Sequence, residues 1–322
     1  MQPLVTILTP VYNGEKYLEE CIESVLNQSY TNWKYIIVNN CSSDRTLEIA
    51  TKYAEHDNRL RIINNKKFVD VIDNHNIAFK LVSNESKYCK VVSADDWIYP
   101  ECVERMVENA EKYPKNGMIG CYSISKNGVH LINLPLHTTC ISGQEACRKQ
   151  LLGSYIFKPP SSLLYRADLI RSVDPYYAVS TINADLDTFF RDMQHSDYGC
   201  VHQILNFERI HDEAITSKMQ KYNSMLVDRL DFLIKYGFIY LTQEEREMRM
   251  KLLLDEYYEY LAERKIHFVD NQFWDYQKSR LNGLGFQIDK LRLAKTVLYK
   301  CFDLLFNPKQ TIERIIRRLN ID

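Results

Sequence analysis

Two adjacent carboxylates at the end of an apolar run are the residues of this chain best suited to do chemistry. The apolar residues 88–92 lead straight into Ser93-Ala94-Asp95-Asp96. Two carboxylates at the end of a buried strand repel each other and lose hydration, and a divalent cation that carries a diphosphate would compensate for both effects. Asp is also common in turns, so this stretch alone is equally consistent with a turn before Pro100.

Polar segments also follow the other strands that the sequence predicts. Short apolar runs at residues 4–9, 33–38, 60–63 and 88–92 alternate with helix-like segments, the third of them around Ile77, Leu81 and Val82. This alternation predicts βαβ units and therefore an α/β fold with a mostly parallel sheet flanked by helices. In such sheets ligands bind beyond the carboxyl ends of the strands. Those ends, residues 9–13, 39–44 and 93–96, are all polar and suited to a nucleotide.

Composition limits the classes of protein to which this chain could belong. Its 322 residues are enough for about two domains, with 45% hydrophobic and 26% charged residues, which is ordinary for a globular protein. Because 41 basic residues nearly balance 42 acidic ones, we expect no nucleic-acid partner. Nine cysteines without CxxC spacing indicate reduced thiols rather than disulfides or zinc. With no signal peptide and no membrane-spanning run, we expect a cytoplasmic protein with at most peripheral membrane contact.

The C-terminal third differs in character from the rest. From about Ser217 glycine and proline become rare, and residues 244–264 predict one long helix. We therefore predict domains at 1–216 and 217–322. Residues 290–318 carry eight basic and two acidic residues, a net charge of 8 − 2 = +6, interleaved with leucine and phenylalanine. Such a segment could lie on anionic lipid at the inner face of a membrane, or pack on the catalytic domain or on a second subunit as a homo-oligomer contact.

Seven stretches, in order, resemble the inverting family-2 glycosyltransferases of the GT-A fold. The resemblance covers roughly residues 3–216 and implies that fold, with an α-helical C-terminal extension beyond it. The matching stretches are residues 9–15 followed by Leu18, Ser24 and Gln28, then residues 38–46, 74–78, 93–96, 161–166, 184–191 and 209–211.

The resemblance also implies roles for individual residues. Asp185 is implied as the catalytic base, and the metal set as Asp95, Asp96 and His211. The nucleotide and donor set is Thr9, Pro10, Tyr12, Asn13, Glu15, Asn39, Ser42, Asp44, Asn76, Ser93, Ala94 and Asp95. This chain departs from the family pattern at Asn39 and Ser93, where members carry Asp, and at Ala184, where they carry Glu.

Each of these roles has a structural alternative that the sequence leaves open. Asp185 or Asp44 could cap a helix, and Asn39 could shape a turn. His211 could be an ordinary structural histidine. Tyr12 could belong to the core rather than stack on a base.

The predicted reaction is transfer of a sugar from a nucleoside diphosphate, most simply a UDP-sugar, to a hydroxyl of a glycan or lipid-linked acceptor in surface polysaccharide synthesis. The implied cofactor is Mn²⁺ or Mg²⁺, which would neutralise the departing diphosphate, while Asp185 accepts the acceptor proton. Residues 127–150 and 172–183 are both candidates for a loop that excludes water.

Two other functions remain open at this stage. A sugar-phosphate nucleotidyltransferase would require a Gly-rich basic phosphate loop, and residues 10–14 are not one. A catalytically degenerate scaffold would explain the departures at Ser93 and Ala184.

Overall fold

The structure is a computed structural model that describes residues 2–178, 183–211, 224–267 and 271–306. It divides into two compact units, Met1–Asp212 and Glu213–Asp322. The predicted domain boundary near Ser217 lies outside the described residues, so its position stays a prediction.

The first unit is built on one sheet of ten strands in the described part of the chain, in the order β3-β2-β1-β4-β9-β6-β10-β5 with β7 and β8 pairing at the side. Parallel pairing joins β1 to β2 and β4, β2 to β3, and β6 to β10. β9 runs antiparallel between β4 and β6. The predicted α/β class with a mostly parallel sheet is therefore confirmed. The strands are β1 Val5–Val11, β2 Trp33–Asn39, β3 Leu60–Asn64, β4 Tyr88–Val91, β5 Trp97–Ile98, β6 Asn116–Ser125, β7 Gly128–His130, β8 Cys140–Ile141, β9 Leu163–Arg166 and β10 Asp197–Phe207.

Helices flank this sheet, as the apolar spacing predicts. Helix α1 buries Leu18, Cys21, Ile22 and Val25, one side of the helix, against the sheet. The helices of this unit are α1 Leu18–Leu26, α2 Thr46–Ala54, α3 Val71–Phe79, α4 Cys102–Lys112, α5 Gly143–Leu151, α6 Ala167–Arg171 and α7 Ala184–Asp192. A short 3₁₀ turn, Pro160–Ser162, precedes β9.

Helix α3 begins earlier than the apolar pattern predicts. We expected a short helix around Ile77, Leu81 and Val82, but it spans Val71–Phe79. The side chain of Asp70 accepts a hydrogen bond from the amide of Asp73 at 2.9 Å and so caps the helix there. A cap satisfies an amide that has no partner inside the helix, and it therefore sets the start more strongly than apolar spacing does.

In the described part of the second unit, all regular secondary structure is helical. Helix α8 spans Ser224–Tyr240, α9 Gln243–Ile266, α10 Asn271–Gly283 and α11 Lys290–Phe306. The long helix predicted at 244–264 is α9, and Thr242 and Glu245 form a capping box at its start. Within the described ranges, no helix is both long and apolar enough to cross a bilayer.

Candidate active site

The carboxyl ends of β1 and β2 lie side by side, and their loops interlock through hydrogen bonds. The amide of Asn13 donates to Ser42 Oγ at 3.0 Å, and the Asn13 side-chain oxygen accepts from the amide of Ser43 at 2.9 Å. Glu15 donates its amide to Asp44 Oδ2 at 3.0 Å and accepts from the amide of Arg45 at 3.0 Å. Four of the predicted donor-site residues are thus brought together in one rigid pair of loops.

Asp44 anchors this loop pair as a carboxylate. Its Oδ1 accepts hydrogen bonds from the amide and hydroxyl of Thr46. Burial by itself would raise the pKa of Asp44, but the hydrogen bonds from Thr46 and from the Glu15 amide outweigh it and lower the pKa below its usual value. Asp44 therefore lies two residues before helix α2, whose N-cap is Arg45, and it ties the two loops together.

Two exposed aromatic rings stand next to these loops. Tyr12, just beyond β1, is 51% exposed, so it is not a core residue. Phe68 is 58% exposed and meets Tyr12 edge-on, with ring centroids 4.8 Å apart. Exposed rings in contact provide a surface on which a planar base can stack. Sequence reasoning missed Phe68, because no motif precedes helix α3 to mark it.

Asn39 is buried in a network of amide side chains. It donates to Asn64 Oδ1 at 3.0 Å, and its own side-chain oxygen accepts from the amide of Ser42 at 3.2 Å. Asn65 donates to the side chains of Asn40 and Asn74 at 3.0 and 2.9 Å. This network was also missed, although the pairs Asn39-Asn40 and Asn64-Asn65 end two neighbouring strands and could have indicated it.

Beyond β4, Asp95 and Asp96 point in different directions. Asp95 Oδ2 lies 3.0 Å from His211 Nε2, and both side chains are partly exposed. Asp96 is 8% exposed, and its Oδ1 accepts from the amide of Arg209 at 3.0 Å. Burial, reinforced by the charge of Asp95, raises the pKa of Asp96 to about 7. We call the site formed beyond β4 by Asp95, Asp96 and residues 209–211 the corner beyond β4. Asp95 and His211 form the part of this corner that is accessible to a ligand.

Arg209 holds the corner together. Its Nε donates to the main-chain oxygen of Asp95 at 3.0 Å, and its guanidinium pairs with Glu20. The same group lies over the ring of Tyr17, 4.5 Å from the centroid. Arg209 thus links the end of β10 to helix α1, and neither Tyr17 nor Glu20 was among the predicted site residues.

A series of hydrogen bonds through Ser93, Ser161 and Lys90 supports the loop that carries Asp95 from the protein interior. The amide of Ser93 donates to Ser161 Oγ at 3.0 Å, and the two hydroxyls lie 3.0 Å apart. Lys90, fully buried, donates to the main-chain oxygens of Ser161 and Leu163. Burial of an ammonium is costly without acceptors, so these carbonyls fix the Lys90 side chain and with it the strand end. Sequence reasoning treated Lys90 only as part of an apolar strand.

Asp185 lies in the first turn of helix α7. It is the second residue of the helix, whose N-cap is Asn183, so the capping alternative does not describe it. Its Oδ1 accepts the amide of Leu186 at 2.8 Å. Burial raises the pKa of Asp185 to about 6, and local backbone hydrogen bonds oppose the rise only in part. A carboxylate with such a pKa can accept a proton near neutral pH.

Two predicted donor-site residues, Thr9 and Asn76, have buried side chains, and a third, Pro10, is partly buried near the end of β1. The Thr9 hydroxyl is fully buried and donates to the main-chain oxygen of Val92 at 2.8 Å. Pro10 pairs with Val38 inside the sheet. The side-chain amide of Asn76 donates to the main-chain oxygen of Tyr177 at 3.0 Å, and its oxygen accepts from the Tyr177 amide at 2.8 Å. Asn76 thus ties α3 to the segment before α7. Ala94 lies by Gly14, at the edge of the interlocked loops.

The side chains at the corner beyond β4 fit a divalent cation. In the described residues no group of three or more His, Cys, Asp or Glu side chains forms a ready cage. Asp95 and His211 nevertheless place one carboxylate and one imidazole within hydrogen-bond distance of each other. A cation bound together with a diphosphate takes most of its ligands from phosphate and water, so two protein ligands suffice.

Comparison with known proteins bears on most of the first unit. The model of the family described as glycosyl transferase family 2 matches residues 6–173. An uncharacterized glycosyltransferase of Haemophilus influenzae is 35% identical over 120 residues, 37% of this chain and 36% of that protein. Glycosyltransferase GlyG of Streptococcus pneumoniae is 29% identical over 122 residues, 38% of this chain and 40% of that protein. The chain thus matches only about two fifths or less of the length of these curated relatives.

Solved structures share the fold. Staphylococcus aureus TarS 1–349 in complex with UDP superposes with a TM-score of 0.62 at 16% identity, covering 86% of this chain and 78% of that one. The mannosyltransferase PcManGT from Pyrobaculum calidifontis, in complex with GDP-Man and Mn²⁺, gives a TM-score of 0.57 at 14% identity, covering 97% and 83%. At these identities the likeness concerns the fold, and the family match covers more than half of the chain. The chain therefore belongs to glycosyl transferase family 2 and has its GT-A fold.

Proposed function

We propose that this protein is a metal-dependent inverting glycosyltransferase that moves a sugar from a UDP-sugar to a hydroxyl of a glycan or lipid-linked acceptor. The observation that supports this most is the pairing of Asp95 with His211 at the carboxyl end of β4. It lies at the edge of the sheet where open α/β folds bind nucleotides.

The two proposed metal ligands, the carboxylate of Asp95 and the imidazole of His211, favour Mn²⁺ over Mg²⁺. Mg²⁺ takes oxygen ligands almost exclusively, whereas a site that combines carboxylate with imidazole suits Mn²⁺. When bound, the cation would act as a Lewis acid that neutralises charge on the departing diphosphate. Arg209 keeps the Asp95 main chain in place, and Asp96, bonded to the Arg209 amide, supports the loop from the protein side.

The nucleoside would lie over the loops that follow β1 and β2. Tyr12 and Phe68 offer exposed rings for stacking on the base. Asn39 keeps a free lone pair on its side-chain oxygen even after it accepts the Ser42 amide, and this lone pair can accept a hydrogen bond from the uracil imide. TarS is described with UDP and also with UDP-GlcNAc, and this supports UDP as the nucleotide of our proposal.

Asp185 would act as the general base. In its ionised form it takes the proton of the acceptor hydroxyl while that oxygen attacks the anomeric carbon from the side opposite the diphosphate. A single displacement of this kind inverts the anomeric centre. The acceptor hydroxyl would belong to a surface polysaccharide or to a glycan carried on lipid.

Titration of UDP with and without Mn²⁺, followed by calorimetry, tests the proposal. We expect Mn²⁺ to tighten UDP binding to the wild-type protein by at least about tenfold, which is about 1.4 kcal/mol. Asp95→Asn should lose this gain because it removes a charged ligand. Asp275→Asn is the matched control, since Asp275 is an exposed carboxylate in the second unit, and it should keep the gain. Equal affinities with and without Mn²⁺ in the wild type would instead favour a degenerate scaffold.

A further inference from the structure

Helix α11, Lys290–Phe306, turns its apolar side outward. A surface helix normally buries its apolar side and exposes its charged one. Here six large apolar side chains are each between 56% and 77% exposed. At about 100° per residue they fall within an arc of about 120° on one side of the helix, which we call the outer face. It consists of Leu291, Leu298, Tyr299, Phe302, Leu305 and Phe306.

Two cations of α11 hold this helix against helix α9 of the second unit. Arg292 donates to Asp255 of helix α9 at 2.7 Å, and its guanidinium lies over the ring of Tyr258, 4.4 Å from the centroid. Lys300 Nζ lies 4.0 Å from Glu263 of the same helix. Lys300 lies about 160° around the helix from the middle of the outer face, so its pairing with an acid of α9 orients the outer face away from α9. Arg292 lies about 20° beyond one edge of the outer face and pairs with α9 at that flank.

Charge on and after the outer face is positive. Lys295 falls inside the arc of apolar side chains, Lys290 lies about 60° beyond one edge of it at the start of the helix, and both are exposed. The sequence of residues 307–318 that follows adds four basic residues and one acidic residue. The whole chain has a net charge of −1, so this concentration of positive charge is local. Lys and Arg beside an apolar helix face are complementary to a surface of anionic lipid headgroups.

The size of the outer face argues against a second copy of the chain as its main occupant. Seventeen residues make a helix about 25 Å long, so a strip about 10 Å wide covers roughly 250 Å². A stable protein interface buries about 800 Å² on each partner. A lipid surface has no such minimum area, because each inserted side chain contributes separately.

We propose that the outer face of α11 docks this protein on membranes that contain anionic lipid, with Leu and Phe side chains inserted and Lys290 and Lys295 at the headgroups. The residues of the outer face belong to the second unit and those proposed for the nucleotide site belong to the first, so docking can be tested without the transfer reaction. It would place the enzyme where a lipid-linked acceptor is presented.

Co-sedimentation of the full chain with vesicles, without nucleotide or metal, tests the proposal. We expect binding to phosphatidylcholine vesicles that contain about one third phosphatidylglycerol, and much weaker binding to phosphatidylcholine alone. The double variant Leu298→Asp/Phe302→Asp should weaken binding by at least about tenfold, or about 1.4 kcal/mol. Both side chains are exposed, so melting followed by circular dichroism should be unchanged. Leu136→Asp, which alters an exposed leucine of the first unit, should bind like the wild type.

A matched pair of lysine variants tests the contribution of positive charge to vesicle binding. Lys295→Glu should weaken binding to the anionic vesicles, whereas Lys278→Glu, at an exposed lysine of helix α10, should not. Wild-type protein that stays in the supernatant with both kinds of vesicle would overturn the proposal. So would a double variant that sediments like the wild type. Dimerisation in sedimentation velocity that the double variant abolishes, without vesicle binding, would assign the outer face to a second copy instead.

Discussion

Replacement of Asp185 by Asn should separate catalysis from stability. Asn keeps the shape and the acceptor oxygen that bonds the Leu186 amide, but it cannot take a proton. Loss of a general base typically costs about 10²–10⁴-fold in rate, so we expect kcat to fall by that factor. UDP affinity should change little, because Asp185 lies on α7 and not on the loops that follow β1, β2 and β4.

The same variant should be more stable than the wild type at neutral pH. Folding raises the pKa of Asp185 from 3.8 to about 6, so the folded state holds the proton more tightly than the unfolded chain. This contribution is fully present below about pH 4 and is lost as the pH rises through about 6. A rise of about two units corresponds to about 3 kcal/mol, and partial exposure of the carboxylate reduces it, so Asn should add about 1–3 kcal/mol to the free energy of unfolding at pH 7.

The pH profile of the wild type provides a second measurement. With a pKa of about 6, the ionised fraction of Asp185 rises from about one tenth at pH 5 to about nine tenths at pH 7. The rate constant kcat, followed by release of UDP, should therefore rise roughly tenfold over that range. Asp187→Asn, a buried carboxylate two residues further along the helix, is the matched control and should keep most of the turnover. Near-normal turnover of Asp185→Asn, or a flat profile between pH 5 and 7 in the wild type, would refute Asp185 as the base.

Three further variants test the donor side. Phe68→Ala should weaken UDP binding in calorimetry by about 1 kcal/mol, roughly fivefold, through lost stacking, and Leu136→Ala should not; equal affinities would exclude a stacking role. Ser161→Ala leaves the partly buried amide of Ser93 without its acceptor, so the free energy of unfolding in urea should fall by about 1–3 kcal/mol; an unchanged midpoint would contradict this. Gly14→Ala places a Cβ 2.6 Å from Val11 Cγ2, so thermal melting should show a loss of about 1–3 kcal/mol; wild-type melting would show that the loop yields at no cost.

Local pattern was sufficient for the first four strands of the first unit and for the presence of helices between them. Runs such as residues 33–38 lie in strands because parallel strands covered on both faces must be apolar throughout. The start of helix α3 could not be read from apolar spacing, because a single side-chain bond from Asp70 sets it. The antiparallel position of β9 between β4 and β6 could not be predicted from the sequence either, because it depends on pairing between distant parts of the chain.

Residue types and motif order identified the family, but not what each residue touches. Asp95 and His211 are 116 residues apart in sequence, and only the sheet brings them to 3.0 Å. Asn76, expected at the donor, instead bonds the backbone of Tyr177, and Phe68, in no motif, stands against Tyr12. Which partner a polar side chain finds is decided by packing between distant segments, so no local pattern reports it.

The amino-acid sequence by itself determined the α/β class, the glycosyltransferase family and the basic, leucine-rich character of residues 290–318. Those properties follow from the period of apolar residues and from residue types in order, and both are local. Tertiary structure alone decided that Asp185 is buried enough to raise its pKa and that α11 presents its apolar side outward. The burial of a side chain and the exposed side of a helix both depend on which surfaces other parts of the chain pack against, and only the folded structure shows this.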